Sequence, residues 1–150
     1  MPQKLYLEDL QPGQKFSTGS LTVTADEIKD FAQKYDPQPF HLDDEAAKTT
    51  LFGGLAASGW HTAALTMRLN VTAGPQLAGG IIGGGGEISW PTPTRPGDVL
   101  HVESEVLEVT PSRSRPDRGM AVLRSETLNQ HGKTVQLSVM KLVVFRRGPA

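Results

Sequence analysis

Polar and apolar positions along this chain follow two periods, and the switches between them mark out its elements. Residues 16–23 read as a short strand, entered through Gln11-Pro12-Gly13-Gln14, with proline and glycine where a type II turn needs them. Ile28, Phe31, Ala32 and Tyr35 then recur at helical spacing. They stand behind Thr24-Ala25-Asp26-Glu27, a capping box in which Glu27 reaches back to the cap amide, and Pro37 ends the helix. Asp43 and Asp44 cap a short helix running through Lys48, and Gly53-Gly54 breaks the chain. From Gly59 to about Ala73 the apolar residues Ala63, Ala64, Leu65, Met67, Leu69 and Val71 go most of the way round a helix, which predicts that it is buried.

The remainder is strand-like. Residues 81–90 are glycine-rich but β-compatible, and Thr94-Arg95-Pro96-Gly97-Asp98 is another proline–glycine turn. Residues 99–109 alternate, with Leu100, Val102 and Val106 on one face and His101, Glu103 and Glu105 on the other. Near Leu107 the phase slips, as at a bulge. Residues 112–119 form a polar loop, and two further strands, 120–128 and 135–145, are joined by the hairpin turn Asn129-Gln130-His131-Gly132. The pattern predicts an α+β architecture, an antiparallel sheet folded around one long buried helix, as a single domain over residues 1–150.

Composition narrows the function classes. A net charge of −1 over 150 residues leaves no broad basic field for nucleic acid. The absence of cysteine removes thiol nucleophiles, disulfides and cysteine-ligated zinc, and suits the cytoplasm. No leader-like apolar run opens the sequence, and no stretch approaches the roughly 20 apolar residues of a spanning helix. The expectation is a cytoplasmic protein with neither nucleic acid nor membrane as partner.

The chemistry concentrates in residues 35–60. Asp36 and Gln38 each precede a proline, so Asp36-Pro37-Gln38-Pro39-Phe40-His41 is expected to be a stiff, non-helical loop with a base at each end. Extended, five residues reach about 17 Å, so the loop has to turn for Asp36 and His41 to share one small ligand such as water. Ser58 is a good N-cap, which would leave the Gly59 N–H free at the positive end of the helix dipole, where charge developing on a carbonyl oxygen is stabilised. His41, Asp43 and Asp44 would also suit a metal, but carboxylates after a loop more often cap a helix, and no metal is expected. His61 is expected to be a satisfied core or pocket-lining residue, His101 to face solvent and His131 to lie in a turn. Gly83-Gly84-Gly85 lacks the spacing of a phosphate loop; glycine in a strand lets a backbone or a ligand come close. Arg113, Arg115 and Arg118 read most simply as a solvated loop, and their density would also suit a coenzyme A phosphate.

Asp36-x-x-Pro39-x-His41-x-Asp43, continuing to Ala57-Ser58-Gly59, resembles the motif of the MaoC-like dehydratases, which include the (R)-specific enoyl-CoA hydratases and have the hot-dog fold. Leu10-x-Pro12-Gly13-Gln14 and Trp90-Pro91-x-Pro93-x-Arg95-Pro96-Gly97-Asp98 extend the resemblance over about residues 5–145. It implies that Asp36 and His41 activate the water that adds across a trans-2-enoyl thioester, with the Gly59 amide polarising the carbonyl. Substrate contacts are expected from Ser58, Pro39, Phe40, Trp60, Gly84 and Gly85. Coenzyme A would enter as part of the substrate, with no separate cofactor, in a groove of a homodimer or a higher homo-oligomer. The chain departs from the pattern at Gln38 (usually Asn), Phe40 (usually a small aliphatic) and Ser58 (commonly His). A hot-dog thioesterase and a non-catalytic acyl-CoA-binding module are the competing readings.

Overall fold

The computed structural model describes residues 3–148, and its elements follow the predicted order closely. After a 3-10 turn at Leu7–Asp9 come strand β1 (Lys15–Thr22), helices α1 (Ala25–Tyr35), α2 (Pro39–Leu42), α3 (Asp44–Ala47) and α4 (Gly59–Ala73), and strands β2 (Ile82–Ser89), β3 (Val99–Pro111), β4 (Arg118–Leu128) and β5 (Thr134–Phe145). The strands form one antiparallel sheet in the order β1-β3-β4-β5-β2. This is the hot-dog arrangement, with α4 as the long helix held by the sheet.

Local chemistry explains most of the boundaries. Gly13 and Gly97 have φ of 90° and 86°, the values a type II turn requires at its third residue, where a Cβ would be strained. In β3, Leu100, Val102 and Val106 are fully buried, and the register against β4 shifts between Val106 and Glu108, so the bulge falls at Leu107 as expected. In the hairpin turn, Asn129 Oδ1 accepts from the amides of His131 and Lys133 at 2.9 and 3.0 Å. At the start of α1 the expected cap forms with a different partner. Thr24 accepts from the Glu27 amide at 3.2 Å, but the Glu27 carboxylate takes the Thr24 hydroxyl rather than the cap amide.

Two expectations need correction. The segment after Asp36 is not wholly irregular, because Pro39 opens the one-turn helix α2 that carries His41. Proline is disfavoured inside a helix but suited to its first position, where its missing N–H has no partner to lose. Nor is α4 buried all round. Its inner face is His61, Thr62, Leu65, Thr66 and Leu69, whereas Trp60, Met67 and Val71 are exposed. The inner hydroxyls are satisfied across the interface: Thr62 pairs with Thr94 at 2.9 Å and Thr66 with Thr127 at 2.6 Å. Threonines therefore line the inner face, a placement that hydrophobic patterning alone does not reveal.

The core is in two parts. Val23, Ile28, Leu65, Leu69, Leu100 and Val135 pack where α1 and α4 meet the sheet. Leu7, Leu77, Val106, Ala121, Leu142 and Val144 pack beneath the amino-terminal segment. In the second part a methyl at Gly119 would lie 2.5 Å from Leu7 Cδ2 and 2.6 Å from the Thr110 carbonyl. Gly119→Ala should therefore cost roughly 1–3 kcal/mol by overpacking, at about 2–4 °C of melting temperature per kcal/mol. A thermal melt with an unchanged midpoint would contradict this packing.

Candidate active site

Asp36 follows the last residue of α1, and the backbone of α2 brings His41 back towards it. His41 Nε2 stands 3.4 Å from Asp36 Oδ2. The imidazole is 4 % exposed, and its Nδ1 lies 2.6 Å from the Ala56 carbonyl oxygen. A carbonyl only accepts, so Nδ1 carries a proton and, in the neutral ring, Nε2 presents its lone pair. The ring of Phe40 meets His41 edge-on at 4.5 Å and packs on Phe52 at 5.0 Å, so both support the imidazole.

Asp36 is held from both sides. Ser58 Oγ donates to Oδ2 at 2.7 Å, and Gln38 Nε2 donates to Oδ1 at 2.5 Å. Partial burial works to raise the Asp36 pKa, but the hydrogen bonds from Ser58 and Gln38 and the nearby His41 outweigh it. The carboxyl therefore titrates below its ordinary value and is ionised at neutral pH. Gln38 thus keeps an amide on the carboxylate where asparagine is usual in the resemblance.

The same Ser58 hydroxyl accepts from the Trp60 amide at 3.3 Å and caps α4. The Gly59 N–H has no acceptor among the described residues. Gly59 and His41 line one cavity of about 260 Å³, together with Phe52, Trp90, Pro93 and Val135. The Asp36 carboxylate touches the residues at its edge, His41 and Ser58, rather than forming its wall. A carboxylate–imidazole pair and a free amide at a helix start are thereby gathered at one place.

The remaining expected residues are distributed more widely. Pro39 starts α2, and Phe40 lies behind His41; neither lines the cavity. Trp60 is 61 % exposed and meets Trp90 edge-on at 5.2 Å. Gly84 and Gly85 lie on β2 away from His41 and Gly59, and it is Gly83 that lines a second, apolar cavity between α4 and the sheet. Asp43 accepts from the Glu45 and Ala46 amides, capping α3, and Asp44 pairs with Lys29 at 2.6 Å. Both carboxylates are thus engaged away from His41. Arg118 pairs with Asp117 at 3.0 Å and lies over the Phe145 ring, while Arg113 and Arg115 are exposed. His101 faces Glu103 at 3.4 Å.

Two contributions were not legible. Arg95, which the sequence places in a turn and in the supporting motif but gives no partner, donates to the carbonyls of Gly54 (3.0 Å), Leu55 (3.2 Å) and Phe52. It thereby holds the segment that leads to Ala56 and Ser58. Trp90 lies flat against Gly59, so that a methyl there would come within 2.7 Å of the indole. No spacing pattern links either residue to the loop it supports, because the contacts cross from the strand side of the chain.

His61 is buried and stacks on Phe31 at 4.7 Å, as expected for a core residue, but its Nδ1 has no hydrogen-bond partner. Burial lowers its pKa below the ordinary 6.5, with Glu27 opposing only in part. Above about pH 6.5 the ring is neutral folded and unfolded, and it confers no pH dependence. As the pH falls below that value the unfolded chain takes the proton first, so stability declines by up to about 1.4 kcal/mol per pH unit until the lower folded pKa is passed. Urea unfolding at pH 7.5 and 5.5 should show this loss in the wild type and a smaller one in His61→Phe, which keeps the stack. Equal losses in both would refute it.

Comparison with known proteins gives the family and the fold. Residues 9–127 match the family model described as the MaoC like domain. The chain is 36 % identical over 127 residues to the uncharacterized protein YdeM of Bacillus subtilis, covering 83 % of this chain and 87 % of that protein. It is 32 % identical over 113 residues to a 3-hydroxybutyryl-CoA dehydratase of Methylorubrum extorquens, covering 74 % and 69 %. Among solved structures, a MaoC-like dehydratase from Rhodospirillum rubrum is 63 % identical, with a TM-score of 0.94 over 97 % of this chain and 99 % of that one. The (R)-hydratase PhaJ1 of Pseudomonas aeruginosa is 28 % identical, with a TM-score of 0.76 over 97 % and 89 %.

Proposed function

This chain belongs to the MaoC-like domain family, and we propose that it adds water to trans-2-enoyl-CoA thioesters, or removes it in the reverse direction. The observation that carries this reading is the Ser58 hydroxyl, which binds Asp36 while capping the helix whose Gly59 amide stays free. Water seated against both Asp36 Oδ2 and His41 Nε2, on the open side of the pair, would donate to both acceptors. Its oxygen bonds to C3 of the enoyl group, and the C2=C3 π electrons move to the thioester oxygen. The Gly59 N–H meets that developing charge, a contribution of about 2.7–4 kcal/mol in comparable oxyanion sites. The proton lost by water passes to the Asp36–His41 pair, and a proton from the pair completes C2, so the atoms of water are all accounted for. The dehydratase activity of the Methylorubrum relative and the (R)-hydratase neighbour support this reaction class.

The reaction is followed by loss of enoyl absorbance with crotonyl-CoA. Asp36→Asn and His41→Ala should each lower kcat by about 10²–10⁴ in a protein that stays folded. A wild type that leaves the absorbance unchanged, or an Asp36→Asn protein as active as the wild type, would end this assignment. Release of free thiol instead would make the protein a thioesterase.

No cofactor is needed beyond the coenzyme A that arrives with the substrate, and the cytoplasm is the expected site of action. We also propose a homodimer. β2 is a free sheet edge with Ile82 and Ile88 exposed, and α4 presents Trp60, Met67 and Val71 beside it. Unpaired edge groups and exposed apolar side chains are the features a second copy would cover. Light scattering should give twice the 16.2 kDa chain mass; a monomer at micromolar concentration would exclude the dimer.

A further inference from the structure

The cavity beside His41 does not continue freely into the molecule. A second cavity, of about 190 Å³, lies between α4 and the sheet, lined chiefly by apolar groups from Ala63, Met67, Ile81, Leu123, Met140 and Leu142. The two have no lining residue in common. They nevertheless lie end to end. On α4, Thr62 lines the first and Thr66, one turn on, lines the second; on β5, Val135 lines the first and Gln136 the second.

The side chains that meet at the boundary are Trp90 and Gln136. Trp90 lines the first cavity, and its Nε1 donates to Gln136 Oε1 at 3.0 Å, while Gln136 is buried in the wall of the second. The indole is pressed against Gly59, at the helix start where the thioester carbonyl is proposed to bind. Trp90 follows the last residue of β2 and is 39 % exposed, so the residue is not enclosed on every side.

We propose that Trp90 is a shutter, latched by Gln136, that sets the length of the acyl chain. Closed, it confines the acyl group to the cavity beside His41 and favours short chains. Longer chains reach the apolar cavity only when the Trp90–Gln136 bond opens and the indole moves aside. This rests on the acyl-CoA reading above, and it assigns to Trp90 and Gln136 a role in selectivity rather than in the proton transfers.

The test compares kcat/KM for trans-2-enoyl-CoA substrates of four to ten carbons in wild type, Trp90→Ala and Gln136→Met. Each methylene newly buried is worth about fourfold. Trp90→Ala should raise the ratio of eight-carbon to four-carbon kcat/KM at least tenfold, and Gln136→Met, which releases the latch but keeps the ring, should raise it less. A ratio unchanged in a folded Trp90→Ala protein overturns the shutter. If Trp90→Ala does not fold, Trp90→Phe, smaller and without the N–H donor, is judged by the same ratio. If the wild type hydrates no enoyl-CoA, the proposed reaction fails separately. The shutter is then decided by calorimetric binding: octanoyl-CoA must gain affinity relative to butyryl-CoA in the variant, and no gain overturns it.

Discussion

One hydroxyl couples the two halves of the candidate site. A serine oxygen has one proton to give and lone pairs to accept with. Ser58 spends the proton on Asp36 and a lone pair on the Trp60 amide. The first use fixes a carboxylate that lies 22 residues earlier in the chain; the second ends the search of α4 for a cap. Because both bonds leave the same atom, the acid group and the helix start hold a fixed separation. The Gly59 amide remains unpaired as a direct consequence, since a cap that takes the second helical amide leaves the first exposed.

The rest of the fold secures that atom. The Ala56 amide donates to the Phe40 carbonyl at 3.1 Å, and the Ala57 amide donates to the Thr94 carbonyl at 2.9 Å. With the Nδ1 bond of His41 to Ala56, the segment before α4 is held by α2 on one side and by the loop before β3 on the other. Arg95 adds its charge-assisted bonds to three carbonyls of the same segment, and charged donors to carbonyls are stronger than neutral ones. The sheet therefore acts as the frame from which the site is tied. Packing is looser along the Ala63, Met67 and Asn70 side of α4, where the apolar cavity lies, than along its Leu65 and Leu69 face, where the leucines close on the sheet.

Much of this was visible in the residues themselves. The turn glycines, the break in phase at Leu107, the five strands and the capping role of Ser58 all follow from bonding and steric rules that act over a few residues, and the structure agrees with them. The misreadings share a different origin. α2 was missed because two prolines were taken to exclude a helix, although one of them is well placed to start one. The outer stripe of α4 was assigned to the core because its composition is apolar, while the threonines on the true inner face find hydroxyl partners on the sheet that local pattern does not reveal. Gly84 and Gly85 were placed near a ligand from their smallness alone; in the structure Gly84 is the extra residue at a register shift of an edge strand, and Gly85 has a φ of 134°.

By itself, the sequence determined what short-range physics controls: where strands bend, where helices begin, and that Asp36, His41 and a free amide lie within one short span. Only the tertiary structure decided which of these groups meet. The turn of α2 sets the 3.4 Å approach of His41 to Asp36, while the grip of Arg95 and the seat of Trp90 on Gly59 depend on chain segments brought together by strand pairing. Such contacts carry no periodic signature, because they join residues whose separation along the chain is set by topology and not by the pitch of a helix or the pleat of a strand.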